Sequence, residues 1–221
     1  MKWVYVLVEG ETEETFVDEV LNRHLESFEV YLKPILIETS EKLRKKGGYT
    51  TYAKTRRQLL NVLSHNQASL VTTMLDYYGL AEDFPGKTKL PKGTGSVRVQ
   101  YLEQELQKAI GHRKFLAYFS LHEFEALLFV SPEVIARIVP GQDFLPELTQ
   151  IKAAFSSPEE INDDPETSPS NRLGKLYGKT YNKPILGSLI ALEIGLERLR
   201  SECPHFNEWL TKLESLSQAS T

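Results

Sequence analysis

The sequence predicts an α/β protein with a mostly parallel central sheet, helices on its faces and a helical C-terminal extension. Three observations carry this reading. Residues 3–8 are all apolar or aromatic, with β-branched Val4, Val6 and Val8, as in a short strand buried on both faces. The run stops at Glu9-Gly10 and passes into Phe16, Val17, Val20 and Leu21, which have the spacing of one helical face. The same plan, an apolar run ending on an acid, recurs at Asp76 and again at Glu123.

Chain length and composition narrow the class. The 221 residues are 41% hydrophobic and 25% charged, with a formal net charge of −4. Such a chain buries a substantial core. It lacks the bulk positive charge of a stand-alone nucleic-acid binder, so contact with nucleic acid would need a metal, a local basic surface or a basic partner. The single cysteine, Cys203, excludes an internal disulfide and fits a reducing cytoplasm. No apolar run has the length of a membrane span, and Glu9 interrupts any signal-peptide pattern early. The expected organisation is a core over 1–155, an acidic proline-rich linker over 156–171 and a C-terminal helical segment over 172–221.

The first turn holds the most informative chemistry. Gly10 permits a sharp turn and Thr12 offers an N-cap oxygen for a helix over about 13–27. Glu11 and Glu14 fit the positive end of that helix's dipole. Glu9 does not, because it ends an apolar strand. Glu13, four residues later, can face back toward it. Two converging carboxylates repel unless a cation lies between them, which points to a divalent metal. In open α/β sheets the carboxyl ends of strands are where ligands bind.

The remaining elements follow in order. Residues 28–38 read as a second strand region interrupted by Pro34, which favours an edge. Residues 39–51 hold Lys42, Arg44, Lys45 and Lys46 ahead of Gly47-Gly48. They form either a solvated connection or a loop touching phosphates. A helix is expected over 52–63, with Lys54, Arg56 and Arg57 extending the positive charge. The third strand, 68–75, ends on Asp76. A Lys-, Pro- and Gly-rich loop over 82–96 precedes a helix over 97–110, and the fourth strand, 115–121, runs into His122-Glu123-Phe124-Glu125. Glu123 and Glu125 share a face in a strand and diverge in a helix, so Glu123 ranks first and Glu125 second. His122 reads as a ligand, a base or a buttress to the carboxylates. Residues 131–154 should be helical in pieces, broken at Pro140-Gly141. Asp163 and Asp164 read as solvated loop acids. Helices over 186–200 and 206–216 complete the chain, and Cys203 and His205 have too few companions for a zinc site.

The run Val8-Glu9-Gly10-Glu11-Thr12-Glu13 resembles the first motif of TOPRIM-fold proteins, and most closely its form in OLD-type nucleases. With Asp76-Tyr77-Tyr78-Gly79-Leu80 and His122-Glu123-Phe124-Glu125, the whole pattern resembles small bacterial TOPRIM-like proteins encoded beside an ABC- or OLD-type ATPase, in a setting typical of anti-phage defence. The resemblance implies a nuclease using Mg²⁺ or Mn²⁺, with Glu9, Glu13, Asp76 and Glu123 catalytic and Glu9, Asp76, Glu123 and Glu125 around the metal. It also implies a late lysine assisting the site, with Lys183 ahead of Lys179. Tyr78 stands where such domains usually carry a second Asp, leaving one or two metals open. Arg44, Lys45, Lys46, Arg172 and Lys179 are the candidate contacts to DNA, RNA or tRNA, with Arg172 either clamping a phosphate or pairing with the preceding acidic stretch. No Walker A loop is present, so any ATP dependence belongs to a partner ATPase. A non-catalytic partner or sensor subunit is the alternative, and self-association is left open.

Overall fold

The computed structural model describes residues 1–37, 51–65, 67–161, 164 and 166–218. Arg44, Lys45, Lys46 and Asp163 lie outside the described residues. The sheet contains β1 (Lys2–Val8), β2 (Val30–Leu36), β3 (Leu70–Asp76), β4 (Phe115–Leu116) and β5 (Phe119–Ser120). Its order is β2-β1-β3-β4, with β5 also on β3, and every pairing is parallel. Pro34 lies in β2 opposite Val6, at the sheet edge where a missing N–H is tolerated.

Successive side chains of a strand point to opposite faces, and β1 divides the interior accordingly. Val4, Val6 and Val8 join one core and Tyr5 and Leu7 the other. The first core packs against α1 (Glu11–Phe16), which continues through a π-helical stretch (Val17–Leu21) into α2 (Asn22–Leu25). The helix starts at Gly10 rather than at a Thr12 cap, and Thr12 is buried within its first turn. The second core takes α3 (Tyr52–Leu63) and α4 (Gly95–Ile110).

The fourth strand is split because a side chain takes two places in its ladder. Thr73 Oγ1 donates to the Tyr118 carbonyl at 2.8 Å and accepts from the Tyr118 N–H at 2.9 Å. Helix α4 covers the outer edge. Gln107 donates to Phe115 O at 2.6 Å and accepts from Ala117 N at 3.1 Å, while Glu103 accepts from Phe119 N at 2.9 Å. These bonds satisfy groups that would otherwise form an exposed edge.

A 3₁₀ helix (Phe124–Val130) leads to α5 (Pro132–Ile138), α6 (Leu145–Ala153) and α7 (Pro169–Tyr177). The expected single helix over 186–200 is two, α8 (Lys183–Ile194) and α9 (Leu196–Glu202), divided at Gly195 with φ of 83°. Helix α10 (Pro204–Glu214) follows. Among the described residues no helix is long and apolar enough to cross a membrane.

The stretch 156–171 reads from the sequence as a linker, yet several of its described residues are built into the core. Pro158–Glu160 forms a 3₁₀ turn, and Glu159, Ile161 and Ser168 are buried. Glu159 accepts the His205 and Phe206 amides at 2.9 Å each, capping α10. Glu160 accepts the Gly95 and Ser96 amides at 3.2 Å each, capping α4. Glu159 and Glu160 thus serve as caps for helices distant in sequence, because free amides at a helix start attract carboxylates.

Candidate acidic site at the sheet rim

The chain passes from β1 to β2 on one side and then crosses to β3 on the other, so the gap between β1 and β3 is a switch point of the kind that binds ligands. Glu9 follows β1 directly and Asp76 closes β3. The Asp76 amide donates to Glu9 Oε2 at 3.2 Å. Asp76 Oδ1 in turn accepts the Phe124 amide at 2.9 Å. A chain of contacts thus joins Glu9 to Asp76, 67 positions away, and Asp76 to the Phe124 amide between Glu123 and Glu125, 48 positions further.

Local backbone explains how the third acidic segment arrives. His122 adopts a left-handed conformation (φ 65°), unusual for a residue with a side chain. This turn ends the β5 path and starts the 3₁₀ helix. In it Glu125 is fully buried, and Lys183 Nζ, at the first turn of α8, lies 3.0 Å from Glu125 Oε2. Glu13 is also buried, on the first turn of α1. A Cβ at Gly10 would stand 3.2 Å from Glu13 Oε2, so glycine leaves room for the folded-back carboxylate. The tight approach of α8 to α1 has a similar origin, since a Cβ at Gly187 would fall 2.8 Å from Thr12 Cγ2.

Among the described residues, five carboxyl groups (Glu9, Glu13, Asp76, Glu123, Glu125) share this rim with one ammonium, Lys183. The electrostatics reflect that imbalance. Burial, then the charge of Glu13, pushes the Glu9 pKa up to about 8. Burial, then Glu9, holds Asp76 well above the usual carboxylate range. Glu13 is raised by burial, with Lys183 pulling it down and Glu125 pushing it up. Burial and Glu125 raise Glu123. Desolvation alone would lower the Lys183 pKa, but Glu125, Asp76 and Glu13 lift it well above the ordinary lysine value.

The structure separates the expected site residues into three groups. Glu9, Glu13, Asp76, Glu125 and Lys183 converge. Glu123 reaches the same rim but commits both oxygens to α7, accepting from Ser170 N at 2.8 Å and Ser170 Oγ at 3.0 Å. Both acids are buried, Glu125 completely, because a 3₁₀ turn brings it inward. Lys179 is exposed in the turn Gly178–Thr180. Arg172 donates from Nε to Thr167 O at 2.5 Å and lies 5.7 Å from the Phe155 ring, which ties it to the preceding stretch. His122 is buried, and its Nε2 lies 2.7 Å from the position of a Gly95 Cβ, toward α4.

Sequence reasoning missed Tyr181 and the role of Ser170. The Tyr181 hydroxyl is buried beside Glu125, and burial followed by the Glu125 charge raises its pKa strongly. Pro169, a common first helical residue, is the signal that could have placed Ser170 at a helix start beside an acid.

The donor set is made of hard carboxylate oxygens, which suits Mg²⁺ or Mn²⁺. Both Glu125 oxygens are buried, with Oε2 facing the Lys183 ammonium at 3.0 Å, and one oxygen each of Glu9 and Asp76 is left after the bonds above. Among the described residues no three Asp, Glu, His or Cys side chains already stand together as a ligand shell.

No curated protein and no solved structure matches the chain. A family model described as a domain of unknown function, DUF4276, matches residues 8–214, a span that includes every acid of the rim, and the chain belongs to that family.

Proposed function

We propose that the chain is a TOPRIM-type, metal-dependent phosphodiester hydrolase acting on nucleic acid. The observation that carries this reading is the meeting of Glu9 and Asp76 at the switch point, where burial raises both pKa values, with the charge of Glu13 adding at Glu9 and that of Glu9 adding at Asp76. Raised carboxyl pKa values in one cleft mark a place where a cation would be favourable. Glu9 and Asp76, with Glu125 and Glu123 beside them, would hold Mg²⁺ or Mn²⁺. When bound, such an ion polarises a phosphoryl oxygen and acidifies a water. Glu13 stands against Glu9 and raises its pKa, and Lys183 would place a cation where phosphate charge develops. Ser170 orients Glu123 through two bonds.

The resemblance of the acidic motifs to OLD-like proteins supports an effector working in the cytoplasm with a separate ATPase, in anti-phage defence. A second reading, a non-catalytic nucleic-acid- or metal-binding subunit of that ATPase complex, draws on Tyr78 and on the commitment of Glu123 to Ser170. Purified protein would be assayed on DNA, RNA and tRNA with Mg²⁺, Mn²⁺ or chelator, with and without the ATPase. Cleavage that needs the ion and is lost in Glu9→Gln supports the hydrolase. Cleavage by Glu9→Gln at the native rate rejects it, and ion binding without turnover on any substrate favours the second reading.

A further inference from the structure

We infer that the outer face of α8 is the two-fold interface of a homodimer. Helix α8 is apolar nearly all round. Its inner face, Gly187, Ser188, Ile190, Ala191 and Ile194, is buried in the protein. Its outer face carries Ile185, Leu189 and Leu192 at 63%, 41% and 38% exposure. These positions are spaced i, i+4 and i+7, which places them in one stripe. A helix apolar on every side is normally covered on every side, and adjacent large aliphatic groups in water mark an interaction surface.

The charges around the stripe select a second copy of the same chain as the occupant. Exposed Lys179 lies beyond the N-terminal end of α8, and exposed Glu197 lies beyond its C-terminal end. Neither makes an ion pair among the described residues. Glu193 on the flank is closed off by Arg137 at 2.7 Å. In an isologous contact each residue meets its complement about one two-fold axis. An antiparallel pair of α8 helices crossing near Leu189 brings Ile185 toward Leu192 of the second copy. The same crossing brings Lys179 toward Glu197 of the second copy. The apolar centre and polar ends then follow the usual anatomy of an interface. This inference is independent of the proposed chemistry, because the stripe and its flanking charges lie outside the acidic rim.

The test is the mass of the native chain in solution, by light scattering across a concentration series. A dimer that Leu189→Glu converts to a folded monomer, with an unchanged circular dichroism spectrum, supports the inference. Leu189→Cys should form a disulfide-linked dimer on oxidation, since Cys203 is buried. Lys179→Glu should raise the dimer dissociation constant about tenfold, and adding Glu197→Lys should restore it. A monomeric native chain at all concentrations overturns the inference, as does a dimer indifferent to Leu189→Glu. A stripe used only by another protein would appear as the first of these results.

Discussion

Lys183 Nζ lies 3.0 Å from an oxygen of Glu125, a carboxylate with no exposure to solvent. The lysine side chain is more than a third exposed, whereas its partner has no exposure. Removing the cation would leave buried charge without compensation, whereas removing both charges would not. Lys183→Met should therefore destabilise the fold at pH 8 by about 2 kcal/mol, below the ~3–5 of a fully buried pair because water screens the lysine. Lys183→Met combined with Glu125→Gln should recover most of that loss in urea titrations. Equal losses in the single and double variants would show that the pair contributes nothing.

The raised carboxyl pKa values set a pH dependence with a definite sign. Glu9 moves from 4.5 to about 8 on folding, and Glu13, Asp76 and Glu123 are raised too. The folded state then binds more protons than the unfolded one within that window, so stability falls as pH rises from about 4.5 to about 8. His205, raised by its bond to Glu103 against its own desolvation, adds a loss in the same direction above its unfolded value. Thermal melts in chelator should show this decline, Glu9→Gln should flatten part of it, and Mg²⁺ or Mn²⁺ should reduce it. A flat profile in chelator would contradict the shared burial of these acids.

Helix α8 carries Lys183, and its distance from α1 is set by Gly187. Gly187→Ala would place a methyl 2.8 Å from Thr12 Cγ2, an overpacking expected to cost ~1–3 kcal/mol. It should also weaken ion binding measured by calorimetry, because Lys183 moves with the helix. Thr12→Ser removes the opposing methyl and should restore both properties in the double variant.

Glu159 is a capping residue in a stretch that reads as linker. Its carboxylate accepts two amides of α10 at 2.9 Å while buried. Glu159→Ala should cost ~1–3 kcal/mol, through the lost cap and two amides left without acceptors. Exposed Glu166→Ala should change stability by less than about 0.5 kcal/mol. Equal effects in chemical denaturation would contradict the placement of the two acids.

Much of the frame was legible in the amino-acid order. Strands and helices were readable because β1 and β3 are buried on both faces and their apolar runs stop at Glu9 and Asp76. The helix over Tyr52–Leu63 fell where its spacing placed it. The acids of the rim were visible for the same reason, as carboxylates where burial would forbid them without a partner. Tertiary structure decided which acids face each other. Glu125 turns inward through a 3₁₀ geometry that strand and helix periodicities cannot distinguish, and Glu123 is taken by Ser170, 47 positions away. Capping by Glu159 and Glu160 depends on helix starts elsewhere in the chain, and a carboxylate's local sequence carries no record of which distant amide it will meet.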